Sequence, residues 1–129
     1  MGFSFPFSSS VTRPTLTPSA EQYAVMQAAS PITHVQKVEA ATLVLMGEED
    51  RRVPPSQTKA WYHSLRARKA EIQRLNNANS AASSGEKKIP ELEVECLVFP
   101  GEGHALDGVE AEVVGFEAGL DWFRDRAQL

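Results

Sequence analysis

The sequence predicts an α/β fold containing two strands of a parallel sheet, with flanking helices. Three observations carry this. Ala41 to Met46 (ATLVLM) is a continuous apolar run stopped by Gly47, the pattern of a strand covered on both faces. Leu92 to Phe99 (LEVECLVF) is a second such run, alternating at first and apolar throughout at its end, stopped by Pro100 and Gly101. A helix-like segment lies between them, so a strand-helix-strand unit with a right-handed crossover is the expected product. Two strands cannot close a sheet or protect its edges. The pattern is that of one part of a larger α/β sheet, with further strands implied outside these 129 residues.

The elements follow in order. Residues 1–18 contain Phe3, Phe5 and Phe7 among prolines and hydroxyl residues, and read as an irregular arm. Ser19 and Gln22 have the spacing of a capping box, Tyr23 and Met26 share a face, and Pro31 ends the helix that they open. After the first strand, Pro54 and Pro55 suit only the first turn of a helix. Its inner face is expected to use Ala60, Trp61 and Leu65, and the helix to reach about Lys69 or further. Residues 76–90 (NNANSAASSGEKKIP) are small and polar without periodicity and read as a flexible surface insertion, whose deletion should leave stability unchanged. After the second strand, Asp107 and Glu110 are spaced as an N-cap pair. Val109, Val113, Phe116, Leu120, Phe123 and Ala127 then recur at steps of four and three, the apolar stripe of an amphipathic helix.

Composition excludes several classes. The apolar fraction of 42% supports a folded core, and a net charge of −4 argues against general nucleic-acid binding. No apolar run reaches membrane-spanning length, and MGFSFPFSSS lacks the basic and apolar regions of a signal peptide. A single cysteine, Cys96, builds no internal disulfide, so a reducing, cytoplasmic setting is expected. His34, His63, His104 and Cys96 show no metal-ligand spacing, and neither metal nor cofactor is expected.

The charge-dense turn LVLMGEEDRRVP (43–54) is the feature that points to chemistry. In open α/β sheets, sites form at the carboxyl ends of parallel strands. Here those ends deliver Gly47-Glu-Glu-Asp50 and Gly101-Glu-Gly-His104. A carboxylate beside an imidazole fixes its tautomer and stabilises the imidazolium, while the ring moves the proton. The order Asp50 before His104 fits the last two members of the serine, acid, histidine sequence of α/β-hydrolases. The bland reading, a polar turn and a loop histidine, stands beside it on these residues alone.

The stretches SPITHVQKVEAATLVLMGEEDRRVP (30–54), SQTKAWYHSLRAR (56–68) and FPGEGHAL (99–106) resemble the prolyl oligopeptidase family of serine peptidases. The acid-loop pattern Gly-x-x-Asp-x-Arg-Val-Pro recurs here as Gly47 to Pro54. GFSFPFSS (2–9) is similar to a segment of the acylaminoacyl-peptidase branch. The resemblance implies an α/β-hydrolase fold and a peptidase that releases N-acylated amino acids from peptides. It implies Asp50 as triad acid and His104 as triad base, with Glu48 and Glu49 facing solvent and Arg52 bracing the acid loop. The sequence departs from the family in holding no Gly-x-Ser-x-Gly elbow; Gly2-Phe-Ser4-Phe-Pro6 has proline where glycine is needed. The expectation is a C-terminal portion of a peptidase catalytic domain over 1–129, inactive alone. Its partners would be peptide substrate in the complete enzyme and the missing part of the domain or a homo-oligomer. The alternative is a non-catalytic α/β interaction module or complementing subunit.

Overall fold

The computed structural model describes residues 17–81 and 88–127, with the side chain of Ala127 excepted. The arm at 1–18 falls almost wholly outside them. Two compact units are present, 1–33 and 34–129. In the first, helix α1 (Ala20–Ala29) opens as the spacing predicts. Ser19 Oγ accepts the Gln22 N–H at 3.3 Å, and Gln22 Oε1 accepts the Ser19 N–H at 2.8 Å. None of its residues is buried, and Tyr23, Val25 and Met26 are exposed. A 3₁₀ segment, Pro31–Lys37, leads onward.

The second unit is a sheet between two helices. Strands β1 (Thr42–Gly47) and β2 (Val94–Phe99) pair in parallel, with Thr42 opposite Val94 and Gly47 opposite Phe99. Helix α2 (Pro55–Ala81) connects them, and helix α3 (Val109–Ala127) follows β2. No further strand joins the sheet among the described residues. No helix there is long and apolar enough to cross a membrane.

Strand alternation assigns the helices to opposite faces. Val94 packs on the α2 side, against Leu65, Ile72 and Leu92, the fully enclosed core. Val35, Val38, Trp61 and Ile89 close the same cluster. On the other face, Leu45 and Phe99 lie under α3: a Cβ added to Gly115 would sit 3.8 Å from Leu45 Cδ1 and from Phe99 Cζ. The missing side chain lets α3 lie close to the strands.

Three expectations need correction. Helix α2 runs well past Lys69, to Ala81, so 76–81 is helical rather than a flexible insertion. Its cause is Asn76, which is buried, donates through Nδ2 to the Ile89 carbonyl and accepts the Ile89 N–H, both at 2.9 Å. This pairing copies a strand-to-strand amide exchange and ties the end of α2 to the approach to β2. Ala60 is exposed; the inner face instead runs Trp61, Leu65, Ile72 and Asn76. Helix α3 begins at Val109, so Asp107 lies too early to cap it. Glu102 takes that part, its carboxylate accepting the Gly108 N–H at 3.1 Å.

The apolar stripe expected on α3 is present, and the structure gives its direction. Val109, Val113, Phe116, Leu120 and Phe123 face away from the sheet, all exposed. The face turned inward carries Ala111, Gly115 and Trp122. Small residues allow close contact with a flat sheet, and Trp122 fills the wider end. The Arg126 guanidinium lies over the Trp122 ring at 3.3 Å and pairs with Glu93 ahead of β2.

Candidate active site

The parallel register sets the site. Because Gly47 and Phe99 are partners, the loops after β1 and β2 leave the sheet side by side. Hydrogen bonds then join them beyond the strands: Glu48 N–H donates to the Phe99 carbonyl at 3.0 Å and Glu49 N–H to the Glu102 carbonyl at 2.9 Å. Gly47 is required by this closeness. A Cβ there would fall 2.3 Å from the Gly103 carbonyl oxygen and 2.6 Å from that of Glu102, and both obstacles are backbone.

Asp50 Oδ2 lies 2.9 Å from His104 Nδ1. The other oxygen, Oδ1, accepts the Arg52 N–H at 2.8 Å and the Val53 N–H at 2.9 Å. The acid loop therefore grips one oxygen with its own backbone and points the second at the ring. An ionised carboxylate only accepts, so Nδ1 carries the proton and Nε2 is left as the basic nitrogen. The Val53 N–H bond above all, joined by His104 and the Arg52 N–H, holds the Asp50 carboxyl below the usual aspartate range, against opposing desolvation. The acid is the sheltered partner: its side chain is 13% exposed and that of His104 45%. The base can thus meet solvent or a reactant while its orienting group stays fixed.

The structure brings together the two residues that the sequence singles out. Glu48 and Glu49 face solvent. Arg52 braces the loop, but with its main-chain N–H; its side chain is exposed. Two contributors had weaker signals in the sequence. Glu102 both receives the acid loop and caps α3, and only its place inside Gly-Glu-Gly-His hinted at this. Leu106 adopts φ +51°, a left-handed conformation costly for a branched residue, and nothing in its type announces it. His34, His63 and Cys96 do not join the pair. No group of three or more His, Cys, Asp or Glu that could hold a metal occurs among the described residues.

An acid-imidazole pair at the carboxyl ends of adjacent parallel strands can act as the proton-moving part of a nucleophilic hydrolase site. Comparison with known proteins gives the family. Residues 4–129 match the prolyl oligopeptidase family. The human acylamino-acid-releasing enzyme is 31% identical over 120 residues, covering 93% of this chain and 13% of its own length. The rat enzyme of the same name is 30% identical over 118 residues, and that of Arabidopsis thaliana 31% over 115, each match covering 12% of the relative. The chain therefore spans a small part of the curated relatives that it matches. With its parallel strands, interlocked loops and flanking helices, the chain belongs to the prolyl oligopeptidase family, a family of α/β-hydrolase fold.

Proposed function

We propose that this chain supplies the acid and base of a serine-type peptidase that releases N-acylated amino acids from peptides, Asp50 as the triad acid and His104 as the base. The observation that carries the reading is the 2.9 Å contact between Asp50 Oδ2 and His104 Nδ1, formed by loops after neighbouring parallel strands. In such a site Nε2 of His104 takes the proton of a serine hydroxyl as it attacks the acyl carbonyl, then returns it to the leaving amine. Asp50 keeps Nδ1 protonated and stabilises the imidazolium. The serine and the oxyanion donors come from a segment bearing a Gly-x-Ser-x-Gly elbow, which these 129 residues do not hold. The chain alone is then inactive.

A second reading has its own support. The two-stranded sheet leaves strand edges open among the described residues, as an interaction module that pairs with a partner strand would. One experiment separates the two. The chain is assayed alone and joined to an elbow-bearing segment, with an N-acetylated peptide as substrate and a fluorophosphonate as active-site probe. Hydrolysis only in the joined protein, lowered about 10⁴-fold by Asp50→Asn, is the expected result. Labelling of the isolated chain would mean a nucleophile within it. A joined protein that folds and stays inert, or is indifferent to Asp50→Asn, would leave the interaction module.

A further inference from the structure

His104 stands in a loop that a neighbouring side chain closes. Glu102 lies just ahead of it, and Glu102 Oε2 accepts the Gly108 N–H at 3.1 Å, so residues 102–108 are fastened at their base. Gly108 is the cap of α3: its carbonyl accepts the Glu112 N–H at 2.8 Å. A carboxylate is favoured there, beside the unpaired N–H groups and positive end of a helix. The fit is close. A Cβ on Gly108 would overlap Glu102 Oε1 and lie 2.8 Å from the carboxyl carbon, so the carboxyl group fills the space that a side chain at 108 would need. The main chain of Glu102 is held as well. Its N–H donates to the Phe99 carbonyl at 3.3 Å, and its carbonyl accepts the Glu49 N–H at 2.9 Å. One residue thus joins the end of β2, the acid loop and the start of α3. Inside the fastened stretch, Leu106 has φ +51°. A branched side chain is disfavoured in that left-handed conformation and keeps it where the surroundings impose it.

We propose that Glu102 is the positioning residue of the base: its carboxylate closes the 102–108 loop over a strained backbone and so holds His104 Nδ1 against Asp50. The effect passes through the loop, since the 2.9 Å contact is made by Asp50 and His104 themselves. Without the tie, Leu106 relaxes toward an ordinary conformation and the imidazole loses its fixed bearing on Asp50. The ring then spends less time with Nδ1 protonated and Nε2 turned to the reacting hydroxyl. This role rests on the reading of Asp50 and His104 as acid and base. It goes further in assigning their alignment to a third carboxylate that is outside the pair.

The test has a spectroscopic arm and a kinetic arm. In the 129-residue chain, proton NMR follows the downfield Nδ1–H resonance of His104. Glu102→Ala should abolish that signal while the circular dichroism spectrum stays that of the folded chain. Glu102→Gln, whose amide oxygen still accepts the Gly108 N–H, should retain it. Gly108→Ala, which displaces the carboxyl from the other end of the tie, should also abolish it, and Asp107→Ala, at an exposed carboxylate of the same loop, should not. In the chain joined to an elbow-bearing segment, Glu102→Ala should lower kcat about 100-fold with KM little changed, and Gly108→Ala should add no further loss in that background. A signal and kcat that survive Glu102→Ala overturn the proposal and leave Glu102 a cap of α3. Failure of Glu102→Gln to rescue, or loss of the whole fold in Glu102→Ala, overturns it too. The peptidase reading fails separately, when the joined protein is indifferent to Asp50→Asn.

Discussion

At the residue scale, Asp50 serves two structural masters, one per oxygen. Its bonds to the Val53 and Arg52 N–H groups and to His104 exist only in the folded loop, and they favour the charged form. The folded value lies below the ordinary aspartate value of about 3.9. The stabilisation is therefore complete above that value and is lost as pH falls through the lower folded one. Carbon-detected NMR of the Asp50 carboxyl should give a midpoint below about 3.9 in the folded chain, and a higher one in an unfolded peptide containing Asp50. A folded midpoint above the ordinary value would mean that desolvation, not the backbone, governs the group. Gly47→Ala tests the other requirement. The added Cβ meets two backbone carbonyls that cannot rotate away. It should cost about 1–3 kcal/mol in urea unfolding and separate the two loops, losing the downfield Nδ1–H resonance of His104.

At the element scale, what was legible depended on whether a local rule and the tertiary context agreed. The Ser19-Gln22 box, the apolar strands and the proline start of α2 are local rules, and each holds. The pairing of Asp50 with His104 was legible because strand ends carry loops to one rim, which made the contact possible, and the acid-loop motif Gly47 to Pro54 favoured it over a plain polar turn. Polarity misled at 76–81: asparagines and serines suggest a loop, yet Asn76 earns its place inside by satisfying both main-chain groups of Ile89. That partner lies 13 residues along the chain and no window-based pattern would find it. Asn76→Ala should cost about 2 kcal/mol, by leaving the Ile89 groups unpaired, whereas Asn77→Ala at the exposed neighbouring position should be almost neutral. Equal effects would mean that the clasp adds nothing. Deletion of the whole 76–90 stretch should likewise lower the melting temperature, since it removes Ile89 from the core cluster. On α3, periodicity located a real stripe but not its direction. Amphipathicity says that one face is apolar; it does not say whether the sheet or another helix receives it. Gly115 and Trp122, too small and too large for a regular pattern, were the inner face.

At the scale of the whole molecule, stability is concentrated on one side of the sheet. Leu65, Ile72 and Leu92 are sealed between α2 and the strands. Helix α1, in the other unit, buries nothing. Hydrogen exchange should therefore be slowest at the amides of the α2 turns around Leu65 and Ile72, and fast throughout α1. Strong protection of α1 would mean that it has found cover. The chain also bears on how such a domain tolerates change in length. Asp50 and His104 sit at the rim where both strands finish, whereas residues 88–93 lead into β2 at the rim where it starts. A residue gained or lost immediately ahead of β2 enters at the end of the strand away from the chemistry. A single residue inserted within β1 or β2 would instead slide one loop past the other by about 3.3 Å and turn its side chains over. A change of length is thus felt by the acid-base pair at one pole of the sheet and not at the other.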